Sequence, residues 1–297
     1  MATLRELKTR ISSVASSEKI TGAMKMISSA KVHKNEMALR KLLPFKDQIK
    51  SIMGHILSSD SVFESPLIED REVRKIGIVI FGSDDGLCGA YNMNIFKHLL
   101  IELNALKQKY GANVKVVIIP VGKKIARAVT ILEDKNTEVK LVDGVNSKME
   151  GDTVNGFTES LRSGFLDGEF DLVKVVYMKF FSISRQKPTV DTLFPVSQEA
   201  LLADAAGEEG NDNQMYIFEP NPNRIFNEVL PMFVISTMQE ITIENRASEQ
   251  AARVMAMQAA NDNAKKLNDE LKLEYNKLRQ QSITTELLDI IGGQVER

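Results

Sequence analysis

The sequence predicts a mixed α/β architecture in which long helices from the two ends of the chain pair antiparallel and an α/β domain is built between them. Three observations predict it. Both ends carry apolar residues at helical spacing, the middle alternates short β-rich runs with helix-like stretches, and small residues recur on the apolar stripe of each end.

The amino-terminal segment, taken as residues 1–60, holds only Gly22, Gly54 and Pro44 as helix breakers. Its apolar positions run Leu4, Leu7, Ile11 and Val14, then Ile20, Met24, Ile27 and on to Lys31, the spacing of one helix face. Pro44 lacks an amide hydrogen and its ring presses on the preceding turn, so a bend or break is expected near Leu43. Ser28, Ser29 and Ala30 are small enough to let a second backbone come close.

Residues 73–220 form the expected α/β domain. Strands are predicted at 76–81, 114–120, 138–142 and 172–181, separated by helical stretches, which is the order of a parallel sheet covered by helices. Asn94 is positioned to cap a helix ending at Gly111, and Asp152 one ending near Gly168. Runs at 189–196 and 215–218 read as edge strands flanking an acidic, glycine-containing loop at 203–213. The domain is thus expected to be Rossmann-like.

The closing segment, residues 221–297, has Pro231 near its start and then no proline or glycine until Gly292. One helix of that extent is on the order of 105 Å long. Its expected stripe runs Ile241, Asn245, Ser248, Ala252, Met255 and Ala259, then Ala264, Leu267, Leu271, Tyr275 and Leu278. The spacing is close to 3.5, that of a coiled-coil seam, and the partner is the amino-terminal helix.

Composition narrows the function classes. The one cysteine, Cys88, excludes an internal disulfide, and His33, His55 and His98 are too scattered to make a zinc site with it. No metal or cofactor is expected, and the chain reads as intracellular, with no apolar run that would span a bilayer. Charge is uneven: residues 1–50 hold 11 basic against 4 acidic residues, a balance of +7, while 51–223 carry −7 and 224–297 carry −2. A basic start is steered to an anionic partner or is a solvated helix face.

No catalytic constellation emerges. The cluster GSDDGLCGAYN, residues 82–92, follows a predicted strand, where doubly wound folds bind phosphates, but it lacks the spacing of a phosphate loop and carries Asp84 and Asp85. Gly122, Lys123 and Lys124 fit a strand-to-helix turn as well as an anion site. Cys88 is read as a packed thiol.

The terminal motifs KITGAMKMISSAK and YNKLRQQSITTELLDIIGG, together with SDDGLCGAYN, ENRASEQAARVMAM and FSISRQKPTVDTLFP, resemble the gamma subunits of the F-type proton-translocating ATP synthase, in order and over nearly the whole chain. Asp85 departs from the family, which usually has Arg there. The resemblance implies a central rotor shaft coupling proton flow to ATP synthesis or hydrolysis in a ring of alpha and beta subunits. It implies a non-catalytic subunit that binds no nucleotide itself and no nucleic acid. The epsilon subunit and the membrane c-ring would lie at its base, peripheral to the cytoplasmic face of a bacterial inner membrane. It places Met24, Lys25 and Arg246 level with an acidic beta-subunit loop, and Arg279, Gln280, Thr284 and Glu286 near the ring's catch loops. The apolar tip, Ile283, Leu287, Leu288, Ile290 and Ile291, would sit in a hydrophobic sleeve. A coiled-coil tether without rotary function is the alternative.

Overall fold

The computed structural model describes residues 3–57, 64–111, 113–197 and 218–295. The acidic loop at 203–213 lies outside them, as does the expected strand at 215–218 except for Phe218, which is not in a strand. Two compact units are present, one of Met1–Ser29 with Arg253–Arg297 and the other of Ala30–Ala252.

In chain order the elements are α1 (Leu4–Leu57), β1 (Lys75–Phe81), α2 (Tyr91–Tyr110), β2 (Lys115–Val121), α3 (Lys123–Val129), β3 (Thr137–Val139), α4 (Asp152–Leu166), β4 (Leu172–Ser182), β5 (Arg185–Phe194) and α5 (Pro222–Val295). In the larger unit the sheet order is β3-β2-β1-β4-β5, with the first four parallel and β5 antiparallel at the edge. The edge strand expected at 189–196 begins earlier, because β5 returns directly from β4 as a hairpin and ends before Pro195, which has no amide hydrogen to offer.

Alternation along β1 builds two cores. Ile76, Ile78 and Ile80 point to the side covered by α2 and α3, with Ile95, Leu99, Ile125 and Val129. Val79 and Phe81 point to the other side, where α4 supplies Phe157 and Leu161, α1 supplies Met53 and Ile56, and α5 supplies Phe226, Leu230, Val234, Met238 and Ile241. Neither expected cap residue is at its cap. Helix α2 begins at Tyr91, three residues before Asn94, and Asp152 is the first residue of α4, preceded by Gly151.

Pro44 does not interrupt α1. The buried and half-buried positions of that helix alternate in steps of three and four on both sides of it, through Leu39, Leu42, Lys46, Ile49, Met53 and Ile56. A proline inside a helix costs about 3 kcal/mol through the lost hydrogen bond and the clash of its ring, and the packing of that seam offsets it. Pro44 and Arg40, whose carbonyl loses its donor, are both exposed.

In the smaller unit the two helix ends pair antiparallel. Asn261 Nδ2 donates to Glu18 O (2.7 Å) and contacts Thr21 Oγ1 (3.4 Å), while Asn268 Nδ2 lies 3.5 Å from Glu18 Oε2. As the α5 number rises from 261 to 268, the α1 number falls from Thr21 to Glu18. A Cβ added to Gly22 would come within 3.3 Å of Asn261 Nδ2, so the glycine admits the amide.

The seam itself differs from the expected stripe. On α5 the side chains turned inward are Val254, Met257, Asn261, Ala264, Asn268, Leu271, Tyr275 and Leu278, while Met255, Ala259 and Leu267 are exposed. On α1 Leu4, Leu7, Ile11 and Val14 hold, but the seam continues through Glu18, Thr21, Lys25 and Ser28, leaving Ile20 (60% exposed) and Ile27 (57%) outside. The apolar pattern moved to neighbouring residues because the seam positions are polar, and hydrogen bonds across the pair make that polarity tolerable.

Candidate functional site

The glycine-rich turn after β1 is closed by its own side chains. Asp84 Oδ1 accepts from the backbone N of Lys123 (2.9 Å), and its Oδ2 accepts from the backbone N (3.1 Å) and hydroxyl (2.9 Å) of Ser147. A carboxylate therefore sits at the head of α3, where an incoming phosphate would seek amide donors. Asn92 Oδ1 accepts from Ser83 N (3.0 Å), its Nδ2 donates to Ser83 Oγ (2.7 Å), and Cys88 is buried beside them. Gly82 allows the close packing, since a Cβ there would lie 2.4 Å from Ile125 Cβ. Asp85, the departure from the family pattern, pairs with Lys148 at 3.0 Å.

Helix α5 enters the crevice between the ends of β1 and β4. Asn245 is fully buried; its Oδ1 accepts from Tyr91 Oη (2.6 Å) and Met178 N (3.3 Å), and its Nδ2 donates to Gly82 O (3.4 Å). One turn on, Ser248 Oγ donates to Met178 O (2.9 Å). Next to Asn245, Arg246 reaches outward to Glu150 at 2.5 Å, and that hydrogen bond, then the charge of Arg246, holds the Glu150 carboxyl below the usual carboxylate range. Arg246, expected to meet a partner loop, is thus already engaged within its own unit.

The remaining expected contact residues lie in the smaller unit. Met24 and Lys25 are both half-buried on α1, Lys25 on the seam. Arg279, Gln280, Thr284 and Glu286 are exposed on α5, with Thr284 Oγ1 donating to Gln280 O (2.9 Å) and Ser282 Oγ facing Glu286 at 3.5 Å. Helical spacing puts Arg279 and Glu286 on one face with Ile283, and Gln280 and Thr284 on the next with Leu287 and Ile291. Ile283, Leu287, Leu288, Ile290 and Ile291 are all exposed, by 48–64%. A second exposed apolar group, Ile20, Met26 and Ile27 on α1, was hidden from sequence reasoning because Ile20 and Ile27 were assigned to the seam.

Among the described residues no helix is long and apolar enough to cross a membrane, and no three metal-ligating side chains gather to hold an ion.

Known proteins agree on the lineage. The ATP synthase family model matches residues 3–295. The ATP synthase gamma chain of Phocaeicola vulgatus is 39% identical over 297 residues, covering 99% of each chain, and that of Bacteroides thetaiotaomicron is 38% identical over the full length of both. The gamma chain of Glaesserella parasuis is 36% identical over 99% of each. In fold, the chain is similar to one in the Euglena gracilis mitochondrial ATP synthase, OSCP/F1/c-ring in rotational state 3, with a TM-score of 0.65 at 20% identity, covering 98% of this chain and 93% of that one. It is also similar to one in the central stalk and c-ring of the Tetrahymena thermophila mitochondrial ATP synthase, with a TM-score of 0.54 at 19% identity over 81% and 99%. From end to end, the chain belongs to the ATP synthase gamma chain family.

Proposed function

We propose that the paired helix ends and their apolar tip are the surface through which this gamma chain, the central rotor shaft and a non-catalytic subunit of the ATP synthase, drives the alpha and beta subunits. The observation that carries the reading is the tip: five large apolar side chains at the end of α5 are open to solvent in the isolated chain. Apolar surface concentrated at one end is covered by a partner. A sleeve formed by the ring covers it without gripping one orientation, because apolar contact has no directional preference.

Polar residues then set the angular bias. Arg279, Gln280, Thr284 and Glu286 are assigned to the catch loops of the beta subunits, and Met24, Lys25 and Arg246 to their acidic loop. Arg246 reaches that loop by sharing its guanidinium with Glu150. A shaft without threefold symmetry presents a different face to each catalytic subunit, and so favours a different conformation and nucleotide affinity in each. The α/β domain is assigned to the epsilon subunit and membrane c-ring, on the cytoplasmic face of a bacterial inner membrane. The closed turn around Asp84 and the filled crevice at Asn245 support a chain that binds no nucleotide itself.

The test is assembly. Co-expressed with its alpha and beta subunits, the tagged chain is expected to recover both as a complex that hydrolyses ATP. Leu287→Asp with Ile291→Asp is expected to lower that recovery several-fold while the purified chain keeps its helical circular dichroism. Recovery equal to wild type would remove the tip from the interface.

A further inference from the structure

In doubly wound sheets the ligand crevice opens at the carboxyl ends of neighbouring strands whose crossover helices lie on opposite faces. Here those strands are β1 and β4, with α2 on one side of the sheet and α4 on the other. Their parallel pairing runs from Ile76 with Leu172 to Ile80 with Val176 and stops. Continued in register, it would place Gly82 beside Met178.

Those two residues are the ones that Asn245 separates. Its amide bridges Gly82 O to Met178 N, and Ser248 takes Met178 O, so side chains at i and i+3 of α5 satisfy both backbone groups of Met178 on that side. Tyr91, at the start of α2, closes the set by donating to Asn245 Oδ1. Asn245 and Ser248 are both 0% exposed. Elsewhere in this unit α5 buries Phe226, Leu230, Val234, Met238 and Ile241, and polar side chains on it meet other side chains, Gln239 with Asn155, Glu240 with Lys46 and Arg246 with Glu150, whereas Asn245 and Ser248 bond it directly to backbone at the ends of β1 and β4. A buried amide bonded through both its oxygen and its nitrogen favours one register and one rotational setting.

We propose that Asn245, with Ser248 and Tyr91, is the joint that keys α5 to the sheet and carries torque between them. This rests on the rotor reading. Asn245 is a positioning residue, acting through the angle at which α5 leaves the sheet, and the crevice used elsewhere for a ligand is used here for a mechanical connection.

The test uses the whole ATP synthase in inside-out membrane vesicles, with protons pumped per ATP hydrolysed measured against an increasing opposing proton gradient. For Asn245→Leu, hydrolysis in the presence of an uncoupler is expected to stay near wild type, while pumping per ATP falls several-fold and the deficit deepens as the gradient grows. Ser248→Ala, which removes the bond to Met178 O, and Tyr91→Phe, which removes the hydroxyl that meets the backbone and side-chain oxygens of Asn245, should show the same load dependence to a smaller degree. They decide the matter if Asn245→Leu does not assemble. A destabilised domain would reduce hydrolysis and pumping together and leave their ratio constant. A constant ratio at every gradient in the assembled variants overturns the joint. A wild-type complex that hydrolyses ATP but pumps no protons overturns the rotor reading, and the joint with it, and that result is visible before any variant is made.

Discussion

Glu244, one residue before the joint, is buried on α5 beside the ion pair of Lys46 with Glu240. Lys46 also lies 5.6 Å over the ring of Phe233. Burial first, and the charge of Glu240 second, push the Glu244 carboxyl up to about 7; Lys179 and Lys46 oppose the rise and Asp191 adds to it. Tyr177, which donates to Asp191 at 2.8 Å, is likewise raised, by burial and then by Asp191. A carboxyl with a raised folded pKa binds its proton more tightly folded than unfolded. Its contribution is therefore fully present below the unfolded value and is lost as pH rises from there through about 7. The larger unit should be less stable at pH 8 than at pH 5 by this group's share, on the order of 2 kcal/mol. Glu244→Gln should remove most of that difference, read as denaturation midpoints at the two pH values. An unchanged pH dependence would show that the carboxyl is not held neutral.

At the scale of elements, β1, β2 and β4 were legible in the sequence because they are buried on both faces and read as continuous apolar runs, whereas the order of strands in the sheet was not. Helix ends were less legible, since Asn94 and Asp152 are good cap residues in positions where the chain, turned by glycines, had already begun its helix. The paired ends were legible as helices but only partly in phase: Leu4, Leu7, Ile11 and Val14 on α1 and Ala264, Leu271, Tyr275 and Leu278 on α5 turn inward as expected, while the middle of the seam does not follow the apolar stripe. Glu18, Asn261 and Asn268 look like outward residues until their cross-helix bonds are seen, and Ile20 and Ile27 look like core until they are found exposed. The phase can be checked on a Cys88→Ser background. Thr21→Cys combined with Asn261→Cys should cross-link several-fold faster than Thr21→Cys combined with Ala259→Cys or Leu267→Cys. Equal rates would restore the stripe drawn from apolar residues alone. Of the contact residues, Arg279 to Glu286 are exposed on α5, whereas the commitment of Arg246 to Glu150 lay beyond the sequence, because the two are far apart in the chain and meet only through tertiary packing.

For the molecule as a whole, the sequence resemblance carried the function, whereas the charge division pointed to an anionic partner or a solvated face without choosing between them. Lys8, Lys19 and Lys31 are exposed on α1, within the segment whose balance is +7. If they meet the acidic loop proposed above, each exposed contact would contribute only about 0–1 kcal/mol. A single reversal to Glu should change coupled turnover modestly, and all three together should impair it strongly, more so at low salt than at high. If the triple variant turns over normally and the purified wild-type chain binds DNA tightly at physiological salt, the charge serves nucleic acid instead. The unbroken alternation of three and four along α1, from Leu4 to Ile56, also limits how this helix can change in length. Inserting one residue ahead of them rotates everything beyond it by about 100°, which would carry Ile20 and Ile27 to the seam and Lys25 and Ser28 out of it. Deleting seven returns each side chain to its own face. Insertions and deletions in the amino-terminal helix are therefore expected to be tolerated in multiples of seven, so that the family can lengthen or shorten it by whole heptads while single-residue changes are selected against.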